Sequence, residues 1–355
     1  MARYIPTGVS DKGGFGSVAF YRDTSLDRQV AVKFLNKGEQ HRRLLDELAA
    51  LQKIRSKHVV EIFDVMYIEN GTRMGIVEEF VRGDTLKSQL GRVSGDAFVR
   101  LLYQLATGVS DIHAVDIVHR DIKPSNLLVD HEGILKIVDF NLARTVDEAK
   151  THGFVGTRGY AAPEQYADDD VTFDEKIDVY ALGICAWALL HGDKLPDALA
   201  ARPPKLAKWI SEGGGFAAAG TQLDPQLVAQ LDACLRQDPA QRSTAAAIAH
   251  GSGRLLLRGR HRATFVVSGG NTFELHAGNP RVNLKHPTLG SLTLAYDGLD
   301  FRVSAVVGEV WVNNMRIASG HALPQCCVIA FGGTNLPPSS RSFTTMDVSH
   351  PEVVL

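Results

Sequence analysis

The run IDVYALGICAWALLHG, from Ile177 to Gly192, constrains the fold of this chain more than any other stretch. Its apolar residues fall on every side of a 3.6-residue helix instead of on one stripe. Such a helix is stable in water only when other elements cover it all round. The chain has the material for that, with 355 residues of which 45% are apolar and 22% charged, the composition of an ordinary globular protein with two or three domains.

The flanks differ from one another. Before residue 81 the sequence reads as strands with one helix among them. GSVAFYRD and RQVAVKFLN alternate like antiparallel strands, and VVEIFDVMYIENGTRMGIVEEFV reads as two strands around Asn70-Gly71, a strong hairpin signal. Between them, EQHRRLLDELAALQKIRS sets Leu44, Leu45, Leu48, Leu51 and Ile54 at helical spacing. After Gly83 the pattern turns helical, with DAFVRLLYQLATGVSDIHAVD amphipathic and two short helices broken at Asp238-Pro239. From Arg254 onward short strands alternate with Gly, Asn and Pro turns, as in a small all-β domain. HGSGR, His250 to Arg254, reads as the joint.

The bulk numbers exclude several classes. A net charge of −2 gives no electrostatic case for a nucleic-acid or membrane partner. Cys185, Cys234, Cys326 and Cys327 form no CxxC pair, which argues against a zinc knuckle or a disulfide framework and for a reducing compartment. The neighbours Cys326 and Cys327 read as two faces of one strand. There is no signal-peptide core near the start and no run of about 18 apolar residues. The expected address is cytoplasmic.

The residues suited to chemistry cluster in a few places. DKGGFGSV puts Gly13, Gly14 and Gly16 in the turn between the first two strands, where a missing Cβ lets backbone approach a phosphate. In VAVK, Lys33 ends an apolar strand and points toward a cleft. Glu47, on the apolar flank of the following helix, needs a cation, and Lys33 is the natural one. In VHRDIKPSNLLVD, Asp121 can orient or deprotonate a hydroxyl, Lys123 can neutralise a transferring group, and Asn126 can offer an amide oxygen to a hard cation. Asp139, at the end of LKIVDF, would join Asn126 as an oxygen ligand for Mg²⁺. Each residue alone has an ordinary reading as a turn former or an edge lysine; the ordered set does not.

Glycine-rich hairpin, VAVK, helix glutamate, HRDIKPSN, DFN and AAPE follow in order over residues 5 to 250. This resembles the eukaryotic-type (Hanks-type) serine/threonine protein kinase family. The resemblance implies an α+β fold, a bilobal kinase with an N-lobe over residues 1–81 and a C-lobe over 82–250. It implies that ATP and Mg²⁺ are used, with Lys33 on the α/β-phosphates and paired to Glu47, Asp121 as base, and Asn126 and Asp139 on the metal. Val18, Ala31 and Leu128 would sandwich adenine, the backbone of Glu79 and Val81 would bond its edge, and Asp84 would reach the ribose. Arg242 would bridge to Glu164, and Asp178 would anchor the catalytic loop. Lys123 and Thr157 match the Ser/Thr pattern, so the acceptor is a Ser or Thr of a protein substrate. Arg120 would grip a phosphate placed on Thr145 or Thr151.

Three positions depart from the pattern: Asp11 for the first loop glycine, Asn141 for the glycine after Asp-Phe, and Glu78 for a bulky apolar residue. They motivate an alternative, a nucleotide-binding pseudokinase scaffold or interaction module. None removes a phosphate or metal ligand, and the enzyme is the favoured reading. The last hundred residues faintly resemble a forkhead-associated domain, a β-sandwich that reads phosphothreonine, over residues 254–355. That implies a phosphopeptide or protein partner. His276-Ala277 stands where that family opens its phosphate site with Gly-Arg, and His286, Ser291 and Asn313 read as loop residues.

Overall fold

The computed structural model describes residues 3–13, 16–35, 48–49, 51–68, 73–140, 142–145, 150–151, 154–167, 171–219 and 222–349. Two compact units divide between Ser252 and Gly253.

The first unit opens with a five-stranded antiparallel sheet in the order β1-β2-β3-β5-β4. Its strands are β1 (Tyr4–Gly13), β2 (Gly16–Asp23), β3 (Arg28–Leu35), β4 (Ile62–Ile68) and β5 (Arg73–Glu79). Period-2 alternation sorts β3 into two faces. Val30, Val32 and Phe34 join Val77 in one core cluster, which leaves Ala31 and Lys33 on the other face, where Lys33 pairs in register with Ile76. Of the helix expected over residues 39–56, Leu48, Ala49 and Leu51 are described as helical, with Gln52 and Lys53 already in a turn. Glu47, Gly14, Asn141 and the Asn70-Gly71 turn lie outside the described residues.

The segment from Glu79, expected to bond the adenine edge, runs through Val81 into β6 (Gly83–Thr85) and is called the hinge. There the chain passes so near β8 (Leu127–Asp130) that a Cβ on Gly83 would sit 1.9 Å from the Val129 carbonyl, so only glycine fits. β6, β8 and β9 (Leu135–Ile137) form a small antiparallel sheet. Helix α1 (Gly95–His113) buries Phe98, Leu102, Leu105 and Val109. Helix α2 (Lys176–His191) buries residues on every side, from Ile177 to Leu189. Short pairings complete this part: β7 (Ile117–Val118) with β10 (Arg144–Thr145), and β11 (Lys150–Thr151) with β12 (Val171–Thr172). Beyond α2 come α3 (Asp197–Ala200), α4 (Leu206–Ser211), α5 (Pro225–Cys234) and α6 (Ala245–Leu256).

The division between the units falls within HGSGR, the stretch expected to be the joint, but that stretch is helical, and strands begin only at Arg262. Glycine costs a helix about 1 kcal/mol. Here it also permits close packing, because a Cβ on Gly251 would lie 2.5 Å from Gln230 Oε1, and Ser252 is fully buried.

The second unit holds two antiparallel sheets. One has the order β14-β13-β21-β20-β18-β19 and the other β15-β16-β17. The strands are β13 (Arg262–Val267), β14 (Thr272–His276), β15 (Arg281–His286), β16 (Gly290–Tyr296), β17 (Phe301–Gly308), β18 (Val310–Val312), β19 (Met315–Arg316), β20 (Cys326–Phe331) and β21 (Ser342–Ser349). Phe265, Leu275, Ile329 and Met346 of the first sheet share one core with Leu284, Leu292, Leu294 and Val303 of the second. Cys327 is buried and Cys326 exposed, on opposite faces of β20.

Candidate active site

The catalytic candidates sit on loops held by buried backbone. Asp178, in the first turn of α2, is 1% exposed. Its carboxylate accepts hydrogen bonds from the backbone amides of His119 (2.7 Å) and Arg120 (2.8 Å) and contacts His113 Nε2 at 3.0 Å. Burial alone would raise this carboxyl, but the hydrogen bonds from His113 and His119 outweigh it and hold the group below its ordinary value. The pinned segment carries Arg120 at φ +66°, a left-handed backbone angle that costs a non-glycine residue energy unless its surroundings fix it. Behind the loop, β8 pairs with β9, and the Val138 amide donates to the Asn126 carbonyl at 2.9 Å.

Asp121 projects from this loop into a dense polar cluster. Its Oδ1 accepts from Thr157 Oγ1 at 2.6 Å. Its Oδ2 accepts from Lys123 Nζ at 2.7 Å and Asn126 Nδ2 at 3.0 Å. Lys123 Nζ also donates to Thr157 Oγ1 at 2.7 Å, and Asn126 Nδ2 to the Asp121 carbonyl at 3.0 Å. With its amide nitrogen committed twice, Asn126 has its carbonyl oxygen as the atom suited to a cation.

Lys33 Nζ donates to Asp139 Oδ1 at 2.8 Å, a contact between residues 106 positions apart. Lys33 has only 7% side-chain exposure. Burial pushes Asp139 up, but the Lys33 charge and hydrogen bond outweigh it and hold the carboxyl below its ordinary value. Asp139 also takes a left-handed backbone angle, φ +69°. The neighbouring Phe140 is fully buried and meets His119 edge-on at 4.6 Å.

The remaining candidates surround the cleft side of the sheet. Gly13 pairs with Gly16 across the β1–β2 turn, and Val18 pairs with both Asp11 and Lys33. Ala31 lies opposite Glu78, and Glu78 is 7% exposed. Leu128 is half-buried in β8, opposite Thr85 and Lys136, while Asp84 is exposed in β6. The structure thus brings Lys33 to Asp139, and Asp121 to Lys123, Asn126 and Thr157. Away from this cleft, Arg242 grips Glu164 with both guanidinium nitrogens, one of them at 2.8 Å.

Two participants escape sequence reasoning. His113 adds a third donor to Asp178 from the last turn of α1. Lys136 reaches the hinge, where its Nζ donates to Glu79 Oε2 at 2.8 Å. The same oxygen accepts from the Glu61 amide at 3.3 Å. A lysine inside the apolar strand LKI was the available signal.

The protein kinase domain model matches residues 11–252. The chain belongs to the protein kinase family. Among its relatives, the serine/threonine-protein kinase PknA of Corynebacterium glutamicum is 37% identical over 205 residues, 54% of this chain and 43% of the relative. PrkC of Bacillus subtilis is 34% identical over 201 residues, 54% of this chain and 30% of PrkC. CBL-interacting protein kinase 12 of Oryza sativa is 34% identical over 203 residues, 54% of this chain and 37% of the relative. The chain therefore spans less than half the length of these curated relatives. No helix among the described residues is long and apolar enough to cross a membrane.

Proposed function

We propose that this chain transfers the γ-phosphate of ATP to Ser or Thr hydroxyls of protein substrates, with lobes over residues 1–81 and 82–250. The observation that carries the reading is the Lys33–Asp139 contact beside the Asp121–Lys123–Asn126 cluster. A carboxylate and an amide oxygen are the hard donors that suit Mg²⁺. Asp139 and Asn126 would hold it, and the bound ion would neutralise charge on the β- and γ-phosphates.

The residues have separable roles. Lys33 holds phosphate oxygens as a point charge. Gly13, Gly14 and Gly16 bring backbone close to the phosphates. Val18, Ala31 and Leu128 enclose adenine, the Glu79 and Val81 backbone bonds its edge, and Asp84 reaches the ribose. Glu47 would pair with Lys33. Asp121 would orient the acceptor hydroxyl and take its proton as the new O–P bond forms and the γ-phosphate's bond to the departing ADP breaks. The Thr157 hydroxyl, 2.6 Å from Asp121 Oδ1, supports this, because the carboxylate already accepts from an alcohol there. Lys123, bonded to the same carboxylate, steadies charge on the transferring group.

Self-phosphorylation of the activation loop belongs to this reading. Thr145 lies on β10, paired with Ile117, and Thr151 on β11. Arg120 is pushed down to about 10, chiefly by burial and then by the Arg144 charge. Two adjacent cations offer a seat to a phosphate. The unit after residue 252 is read as a forkhead-associated-like β-sandwich that takes a protein or phosphopeptide partner. Its two sheets around one core support the sandwich. All four cysteines are free thiols, which fits a cytoplasmic address.

Incubation with labelled Mg-ATP and a generic Ser/Thr acceptor tests the reading. The parent is expected to label itself or the acceptor, and Asp121→Ala to do neither while still binding nucleotide. Nucleotide bound by the parent without transfer would favour the scaffold, which Asp11, Asn141 and buried Glu78 motivate.

A further inference from the structure

The larger sheet of the second unit carries an apolar patch on the side that faces away from that unit's core. Side chains alternate along β21. Thr344, Met346 and Val348 are buried, while Phe343, Thr345 and Asp347 are exposed. Neighbouring strands continue the outward side. Val266 of β13 and Val328 of β20 flank Thr345 in register. Phe343 pairs with Ala330 of β20, and Ala330 with Trp311 of β18. Residues paired across strands share a face and stand about 5 Å apart, so these are two apolar rows side by side. Val266 and Val328 are each 43% exposed and Phe343 39%. The patch runs about 20 Å along β21 and about 15 Å across four strands. That is roughly 300 Å², a size at which the largest apolar patch of a chain is often functional.

The two ends of β21 carry opposite charge. Arg341, just before the strand, holds its guanidinium 5.4 Å from the centre of the Phe343 ring. At the other end, Asp347 Oδ1 accepts from Cys326 Sγ at 2.8 Å. Other charges bordering the patch are matched within the chain, Arg262 with Glu274 at 3.4 Å and Arg316 with Glu309 at 4.0 Å. Among the described residues neither Arg341 nor Asp347 forms an ion pair.

This pattern is complementary to itself. Consider two copies packed face to face, with the two-fold axis between the sheets and crossing β21 at Thr344. Position 343 then meets position 345 of the other copy, and 341 meets 347. Phe343 stands over the partner's Thr345, and Val328 over the partner's Ala330. Arg341 lies opposite the partner's Asp347. Each contact sets a large side chain on a small one or a cation on an anion, and symmetry makes each of them twice. An axis along β21 would instead set Phe343 on its own copy and Arg341 on its own copy.

We propose that this sheet face is the interface of a homodimer, its occupant a second copy of the chain with β21 antiparallel to β21. The inference does not rest on the kinase reading. The patch is smaller than the about 800 Å² per partner of a standard interface. The dimer is therefore weak, with a Kd of about 10 to 100 μM, and its ion pairs make it weaker at high salt.

Sedimentation of the full chain from about 1 to 500 μM tests this. The parent is expected to pass from monomer to dimer over that range. Phe343→Glu, Arg341→Asp and Asp347→Arg are each expected to weaken association about tenfold or more, since each sets like charges together or buries an unpaired one. An equimolar mixture of Arg341→Asp with Asp347→Arg is expected to regain the parent's association, because opposite charges then meet at both ends of the mixed dimer. Phe343→Glu probes the same face without altering Arg341 or Asp347, so it decides the matter should a charge reversal disturb β21. A parent that stays monomeric throughout overturns the proposal and leaves the face to a different occupant. A dimer that Phe343→Glu leaves intact also overturns it. So does a mixture of the two folded charge variants that associates no better than either alone.

Discussion

The loop from Val118 to Asp139 and the turns of the second unit both carry polar side chains, and they draw their partners from different distances. In the first, partners come from far along the chain: Asp178 to His119 and Arg120, Thr157 to Asp121, Lys33 to Asp139. In the second, partners are local. His286 Nδ1 accepts from the Leu289 amide at 3.2 Å and His276 Nδ1 from the Gly278 amide at 3.1 Å, while Asn313 Oδ1 accepts from the Val328 amide of the neighbouring strand β20 at 3.0 Å. Local bonds shape turns cheaply. Assembling polar groups from distant segments costs loop-closure entropy and desolvation, and a site that must act on a ligand is where such a cost is worth bearing.

The comparison breaks most readily at Asp121. Asp121→Ala is expected to lower kcat by about 10²- to 10⁴-fold, the usual worth of a positioned base, with nucleotide affinity nearly kept. A loss below tenfold in a phosphotransfer assay would remove the contrast with an ordinary loop. Next in size is Asp178→Asn, which leaves buried donors poorly satisfied and is expected to cost about 3 kcal/mol in denaturant unfolding. Its pH dependence has a definite sign. Asp178 sits below its unfolded value of 3.8, so its contribution is complete above that pH and is lost as pH falls through the folded value. The parent should lose stability in that acid window more steeply than Asp178→Asn.

What the sequence makes legible follows the same division. The residues at positions 33, 121, 126 and 139 stand out because motif order and chemistry are both local properties of short words. Helix α1 stands out because its apolar spacing repeats, and α2 because it is apolar on every side. The bond from His113 to Asp178 and the pair of Lys136 with Glu79 leave no such mark, since each joins segments whose proximity only the fold creates. The continuation of helix α6 past Gly251 was hidden for a different reason. Gly251 and Gly253 read as a joint, yet Gly251 gives Gln230 room to approach. In the second unit the alternation is visible, but the pairing of β13 with β21, from opposite ends of the unit, is not.

Lys136 sharpens the comparison by a smaller amount, because its bond spans distant segments without touching the reacting atoms. Its pair with Glu79 is mostly shielded, with side-chain exposures of 11% and 25%. Lys136→Met is expected to raise KM for nucleotide about threefold to fivefold, near the upper end for a partly exposed pair. Since hinge position and not chemistry is disturbed, kcat should move less, and Lys136→Arg should restore most of KM. An equal fall in kcat with KM unchanged would reassign Lys136 to the reaction itself.

The smallest effect is expected in the second unit, at Asn313 and Asn314. Both take left-handed angles, φ +46° and +67°, between β18 and β19, which suits a two-residue hairpin turn. Asn313→Ala loses the tolerance for that angle and the bond to Val328, a cost of about 1 to 2 kcal/mol. Asn314→Gly keeps the angle at no steric cost and should be neutral or slightly stabilising. Amide exchange at Val328 reads the difference locally: faster in Asn313→Ala, unchanged in Asn314→Gly. Because the bond reaches only to the neighbouring strand β20, the faster exchange should stop at β18, β19 and β20. Exchange that spreads from Asn313→Ala to Asp178-bound His119 and Arg120 would show that this turn, too, belongs to a long-range network, and the two regions would no longer differ in kind.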